Sequence, residues 1–125
     1  MNRTLFVSLL VLLSVGCASV KPDTQEELPV DFLSEDVAKA VEVVSHRAER
    51  LPSGHVDVML GCVSTEEKKP VWFDWKVIFF DQRDIPVDES EWHSEQLFPK
   101  REKLIRASSI RTDIGRYRFL LRSPM

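Results

Sequence analysis

The 125-residue sequence predicts an all-β domain, a sandwich or small barrel of about six or seven short strands, behind a signal peptide and a flexible tether. Three observations carry this. Val71, Phe73, Trp75, Val77 and Phe79 fall at period two inside a run rich in β-branched and aromatic residues, which suits a central strand better than a helix. Tyr117, Phe119 and Leu121 repeat the pattern near the end of the chain, against Arg116, Arg118, Leu120 and Arg122. Turn signals separate the apolar runs at spacings of about 8–12 residues, the rhythm of sandwiches and barrels. Asp74 and Lys76 make one face of the central strand wetter, so the sheet is expected to be antiparallel with one face on a core.

The chain begins with Arg3 and an apolar run from Leu5 to Val15, followed by Gly16 and Cys17. Positive charge, short apolar run and small residue are the layout of a secretory signal. The run is too short for a membrane span of about 20 residues. A small residue before Cys at the end of such a run resembles the bacterial lipoprotein signal. The resemblance implies cleavage after Gly16 and lipid attachment to Cys17, with Ala18 directing the product to the outer membrane. An ordinary secretory signal cut at Cys17 or Ala18 is the alternative. Residues 1–16 are therefore read as signal peptide and 17–40 as the lipidated Cys and acidic tether. Residues 41–125 are read as the sandwich domain.

The tether reading rests on Lys21-Pro22-Asp23-Thr24-Gln25-Glu26-Glu27, which is polar and without periodicity. Ser34 could cap one helical turn, with Glu35 and Asp36 in its favourable first turn. A first strand then runs from about Val41 to Leu51. Pro52-Ser53-Gly54 turns the chain, and Val56 to Thr65 forms the second strand of a hairpin with Cys62 facing inward. Glu66 to Pro70 is a charged loop before the central strand, and Asp81 to Asp84 is a turn after it. Ile85 to Val87 continues extended. Trp92 is expected to cover one end of the core, and Pro99 ends its segment. Leu104 to Ala107 is a short strand, and Arg116 to Arg122 is the closing one.

The run Trp75-Lys76-Val77-Ile78-Phe79-Phe80-Asp81 resembles the core strand of the YcfL-like family of small bacterial envelope lipoproteins. Val56-Asp57-Val58 with Cys62-Val63-Ser64, the Pro70 loop, the Trp92 and Leu97 segment and Tyr117-Arg118-Phe119-Leu120-Leu121 follow in the same order. The sequence departs at Cys62, where the family pattern often has Asn, and at Val77, which replaces a larger aromatic. The resemblance covers about Val41 to Arg122. It implies an immunoglobulin-like antiparallel β-sandwich on a lipid tether, with no enzyme activity and no catalytic residues to carry over.

The residues themselves supply no catalytic constellation. His46, His55 and His93 lack metal-ligand spacing, so neither metal nor cofactor is expected. Cys62 has no cation or helix N-terminus beside it in sequence to activate its thiol. The acid pairs sit in hydrophilic turns rather than at two sides of a cleft. From Lys100 onward the chain holds eight bases against two acids. Arg106, Arg116, Arg118 and Arg122, with Trp92, are the candidate interaction surface. A solvated face on which long Arg stems cover aromatics is the simpler account of them. The whole chain has 17 Lys and Arg against 20 Asp and Glu, which argues against nucleic acid as partner. The expected role is a non-enzymatic envelope lipoprotein that meets a protein or cell-wall partner in the periplasm. A module binding a small ligand or glycan near Trp92 and His93 is the alternative.

Overall fold

Two sheets pack face to face in a computed structural model that describes residues 27–125. The elements are β1 (Val30–Phe32), α1 (Glu35–Ala40), β2 (Val41–Arg50), β3 (Val56–Ser64), β4 (Val71–Phe80), β5 (Pro86–Glu89), β6 (His93–Leu97), β7 (Lys103–Ser108) and β8 (Arg116–Arg122). One sheet runs β1-β8-β4-β5, with β6 also pairing along β4, and the other runs β2-β3-β7.

The period-two runs form the core as the sequence requires. Phe73, Trp75, Val77 and Phe79 of β4 and Phe119 and Leu121 of β8 face inward from the five-stranded sheet. Val56, Val58, Leu60 and Cys62 of β3 and Ile105 of β7 meet them from the three-stranded sheet. A strand buries alternate residues because its side chains point to opposite faces. Cys62 lies wholly buried, and burial, with lesser contributions from Glu102 and Glu95, pushes its thiol up to about 12.

The turns follow from local chemistry. Gly54 adopts φ 92° and donates its N–H to Leu51 O at 2.8 Å, a conformation that costs a side-chain-bearing residue more than glycine. Asp81 Oδ1 accepts from the N–H groups of Arg83 (2.8 Å) and Ile85 (3.1 Å), so the side chain closes the β4–β5 turn.

Three features depart from the sequence-based expectation. The folded domain begins before residue 41. Val30 and Val37 are buried, and β1 lies beside β8 in parallel register, Val30 opposite Phe119. The sheet is thus mixed rather than purely antiparallel, and β1 brings the described strands to eight. The polar run suggested a tether, but Val30 and Phe32 gain a partner from the far end of the chain. The rest of the tether, with the signal peptide and Cys17, lies outside the described residues. Ser34 stands at the N-cap position but makes no side-chain cap bond. Its Oγ instead accepts from Ser123 N at 2.8 Å, fastening the start of α1 to the end of β8.

Trp92 is the third departure. It lies over the outer face of the larger sheet, not over the core. Arg122 stacks on its ring at 3.6 Å and the Lys76 ammonium stands 5.3 Å from it. The register that sets His93 opposite Trp75 explains this, because consecutive strand residues point to opposite faces. His93, itself exposed, stacks its ring at 4.6 Å on that of the buried Trp75.

Candidate interaction surface

The β2–β3 hairpin supplies a free edge. Leu51 N donates to His55 O at 2.8 Å, which fixes the parity of the ladder. The backbone groups of Ser45, Arg47 and Glu49 therefore point toward β3, and those of His46, Ala48 and Arg50 point away from it. On the other side of β3 the parity agrees: Val56 accepts from Ser109 N at 2.8 Å and its N–H reaches Ser109 Oγ at 2.9 Å. Among the described residues no strand pairs with the outer edge of β2.

The inner face of β2 is open as well. His46, Ala48 and Arg50 stand opposite Leu60, Val58 and Val56, which are buried, yet all three are exposed. The core covers β3 and the start of β2, where Val41 is buried, and leaves His46 to Arg50 open. The space left is an open groove of ≈ 710 Å³. Residues His46 to Arg50 form one wall, Ile114 to Tyr117 form another, and Val56, Pro29 and Glu27 also line it.

Arg50 holds the two walls in place. Its Nη1 donates to Gly54 O and Thr112 O, both at 2.9 Å, and its Nη2 to Ile114 O at 2.5 Å. These partners are neutral carbonyls, and no acid pairs with Arg50 among the described residues. Sequence reasoning missed this residue. Nothing in a run of Arg47, Glu49 and Arg50 distinguishes a loop clamp from a solvated charge.

Arg116, Arg118 and Arg122 share the outer face of β8, opposite the buried Phe119 and Leu121, whereas Arg106 stands apart from them. Arg106 belongs to the three-stranded sheet, where its Nη2 donates to Asp57 Oδ2 at 3.0 Å. Asp57 also accepts from Ser108 Oγ, and this bond, with the weaker pull of Arg106, holds its carboxyl below the usual value. Arg116 pairs with Asp84 and lies over the Phe80 ring at 4.0 Å. Arg118 grips Asp31 with two donors, Nε at 2.7 Å and Nη2, a fork that pulls the Asp31 carboxyl below its usual value. Arg122 is gathered with Trp92, Lys76 and Asp74 on the outer face of β4 and β8. Asp74, only 6% exposed, accepts from Ser94 Oγ at 2.7 Å and stands 3.7 Å from Arg122 Nε.

This cluster is knit together by its own charges. Trp92 meets Arg122 and Lys76 while His93 stacks on Trp75, so the two rings have different partners. Among the described residues no group of three or more His, Cys, Asp or Glu could hold a metal ion. None of the described helices is long and apolar enough to cross a membrane.

Two solved structures share the fold. The chain superposes on the Campylobacter jejuni protein cj0090 with a TM-score of 0.63 at 12% identity, covering 77% of this chain and 98% of that one. It superposes on a DUF1425 family member from Shewanella sp. pv-4 with a TM-score of 0.59 at 18% identity, covering 68% of this chain and 79% of that one. No protein-family model and no curated protein matches the sequence. At such identities the likeness concerns the fold: a β-rich domain of two sheets, of the kind found in other small bacterial sandwich-like proteins.

Proposed function

We propose that this chain is a non-enzymatic accessory domain of the bacterial envelope that binds a protein partner at the open groove between β2 and β8. The free edge of β2 beside an apolar-floored groove carries the reading. A sheet edge whose N–H and C=O groups lack partners is a template for an incoming chain, and soluble proteins usually cover or blunt such an edge. We read Cys17 as the lipid-bearing residue and the mature protein as anchored in the outer membrane, facing the periplasm. The support is the Arg3-to-Cys17 pattern, since one acyl chain binds a membrane only marginally and stable anchoring needs more than one. The immunoglobulin-like character of the sandwich and kinship with the YcfL-like lipoproteins belong to the same reading. They rest on the core-strand run from Trp75 to Asp81. The described part of the tether, Glu27 and Pro29, reaches the groove directly, so an anchored domain would hold the groove a short chain length from its membrane.

Photo-cross-linking in the native envelope tests this. A photo-reactive residue replaces Ala48 in one variant of the full chain and Trp92 in another. One discrete protein adduct from Ala48 is expected. Abundant, folded protein with no protein adduct from either position would refute the interaction reading.

A further inference from the structure

The groove and the free edge adjoin each other, and a single kind of occupant satisfies both. An incoming β-strand that pairs with β2 uses the backbone groups of His46, Ala48 and Arg50. Alternate side chains of the same strand then enter the space between β2 and β8, because strand residues alternate between faces. A small rounded ligand could fill the groove without using the edge. A flat protein surface could meet the edge without filling the groove.

The lining sets the chemistry of the strand. Val56, Ile114 and Pro29 offer apolar surface, and Ala48 leaves room because its side chain is short. Three arginines, Arg47, Arg50 and Arg116, line the groove against two glutamates, Glu27 and Glu49. Arg116 is matched by Asp84, and Arg47 stands 3.8 Å from Glu49. Arg50 is hydrogen-bonded only to carbonyls, so its charge is unmatched among the described residues. An acidic group on the incoming chain would complement it.

We propose that β2 receives an extended segment of a partner protein as an added strand, with apolar side chains at alternate positions entering the groove and a carboxylate beside Arg50. This rests on the protein-interaction reading and specifies its mode. The free edge of β7 is a poorer acceptor. Its neighbourhood is crossed by the Lys103–Glu95 pair at 3.4 Å and by the bond from Ile110 N to Asp88 Oδ2 at 2.6 Å.

The test uses the purified full chain and a displayed library of random peptides about a dozen residues long, enough to span an edge strand. Selected peptides should show apolar residues at period two and at least one Asp or Glu. Adding such a peptide should slow amide exchange of His46, Ala48 and Arg50. N-methylation of the peptide at alternate positions should abolish binding, whereas methylation at the intervening positions should leave it intact, because only one set of amides faces β2. Replacing the peptide's acidic residue by its amide should weaken binding about tenfold, the usual loss when one charged hydrogen-bond partner goes.

Four results would overturn the proposal. Peptides that bind but protect the Trp92 face would move the site while leaving the interaction reading standing. Protection of the three amides in a dimer without peptide would make a second copy the occupant. Protection of the three amides in the monomer alone would give the edge to the chain's own N-terminal residues. A library yielding no binder would exclude strand addition, and cross-linking from Trp92 would then decide whether any protein interaction survives.

Discussion

Cys62 and Asp31 show how single side chains respond to what covers them. A thiol raised to about 12 and fully buried presents almost no thiolate at neutral pH. Cys62 in the folded protein should therefore resist thiol reagents and react at the unfolding rate or on addition of denaturant, as read by mass spectrometry of its peptide. Rapid labelling under native conditions would contradict its place in the core. Asp31 behaves in the opposite sense. Its carboxyl is held below the ordinary value of 3.8, chiefly by the hydrogen bond from Arg118. The stabilisation it adds is present above that value and fades as pH falls below it, through the lowered folded-state value. Asp31→Asn should lower the melting temperature at neutral pH, and the difference from wild type should shrink in acid. The pair is partly exposed, so solvent screening keeps the effect within about 1 kcal/mol. The sequence marked Asp74 and Lys76 as the wetter side of β4, and their polarity was legible. What was not legible is that Trp92, Ser94 and Arg122 close over them, since those contacts depend on which residue of β6 faces which residue of β4.

At the scale of elements, the long strands were readable and the short ones were not. β3, β4 and β8 each carry enough alternation to declare their buried face. β1 has three residues, Val30, Asp31 and Phe32, too few for a period, and they sit in an acidic stretch. Its stability comes from β8, almost ninety residues away in sequence, as the Arg118–Asp31 grip illustrates. α1 was half legible: Glu35 and Asp36 marked its first turn, but the bond from Ser123 to Ser34 has no local signature. If this segment belongs to the folded unit, Val37→Asp should cost about 3 kcal/mol or more, the scale for burying an unpaired polar group. The check is urea unfolding of the full chain, where the midpoint should fall with little change in slope. An unchanged midpoint would return residues 30–40 to the tether.

Across the whole molecule, two faces of alternating apolar residues make one core, and the sandwich follows from burying both. Phe119 lies at its centre, fully buried, opposite Val77 on β4 and beside Trp75 at 5.9 Å. Phe119→Ala should lose about 3–5 kcal/mol, a large part of the roughly 5–15 kcal/mol that holds a domain folded. Calorimetry should show a much lower melting temperature. The fold class was legible because it depends on periodicity. The candidate site was not, because it depends on where the core ends along β2. His46, Ala48 and Arg50 alternate like core residues, yet the core leaves them open. The Arg-rich closing strand attracted notice in the sequence, yet Asp84, Asp31 and Asp74 stand against its three charges. Arg50, with no sequence mark, keeps its charge at the groove.

Strand addition requires that the outer edge of β2 be available for pairing. Residue-resolved amide exchange on the purified full chain measures this most directly. Fast exchange is expected at His46, Ala48 and Arg50, with slow exchange at the interleaved Arg47 and Glu49, whose amides face β3. Uniform protection from Ser45 to Arg50 would mean that the edge is already covered, and would contradict strand addition.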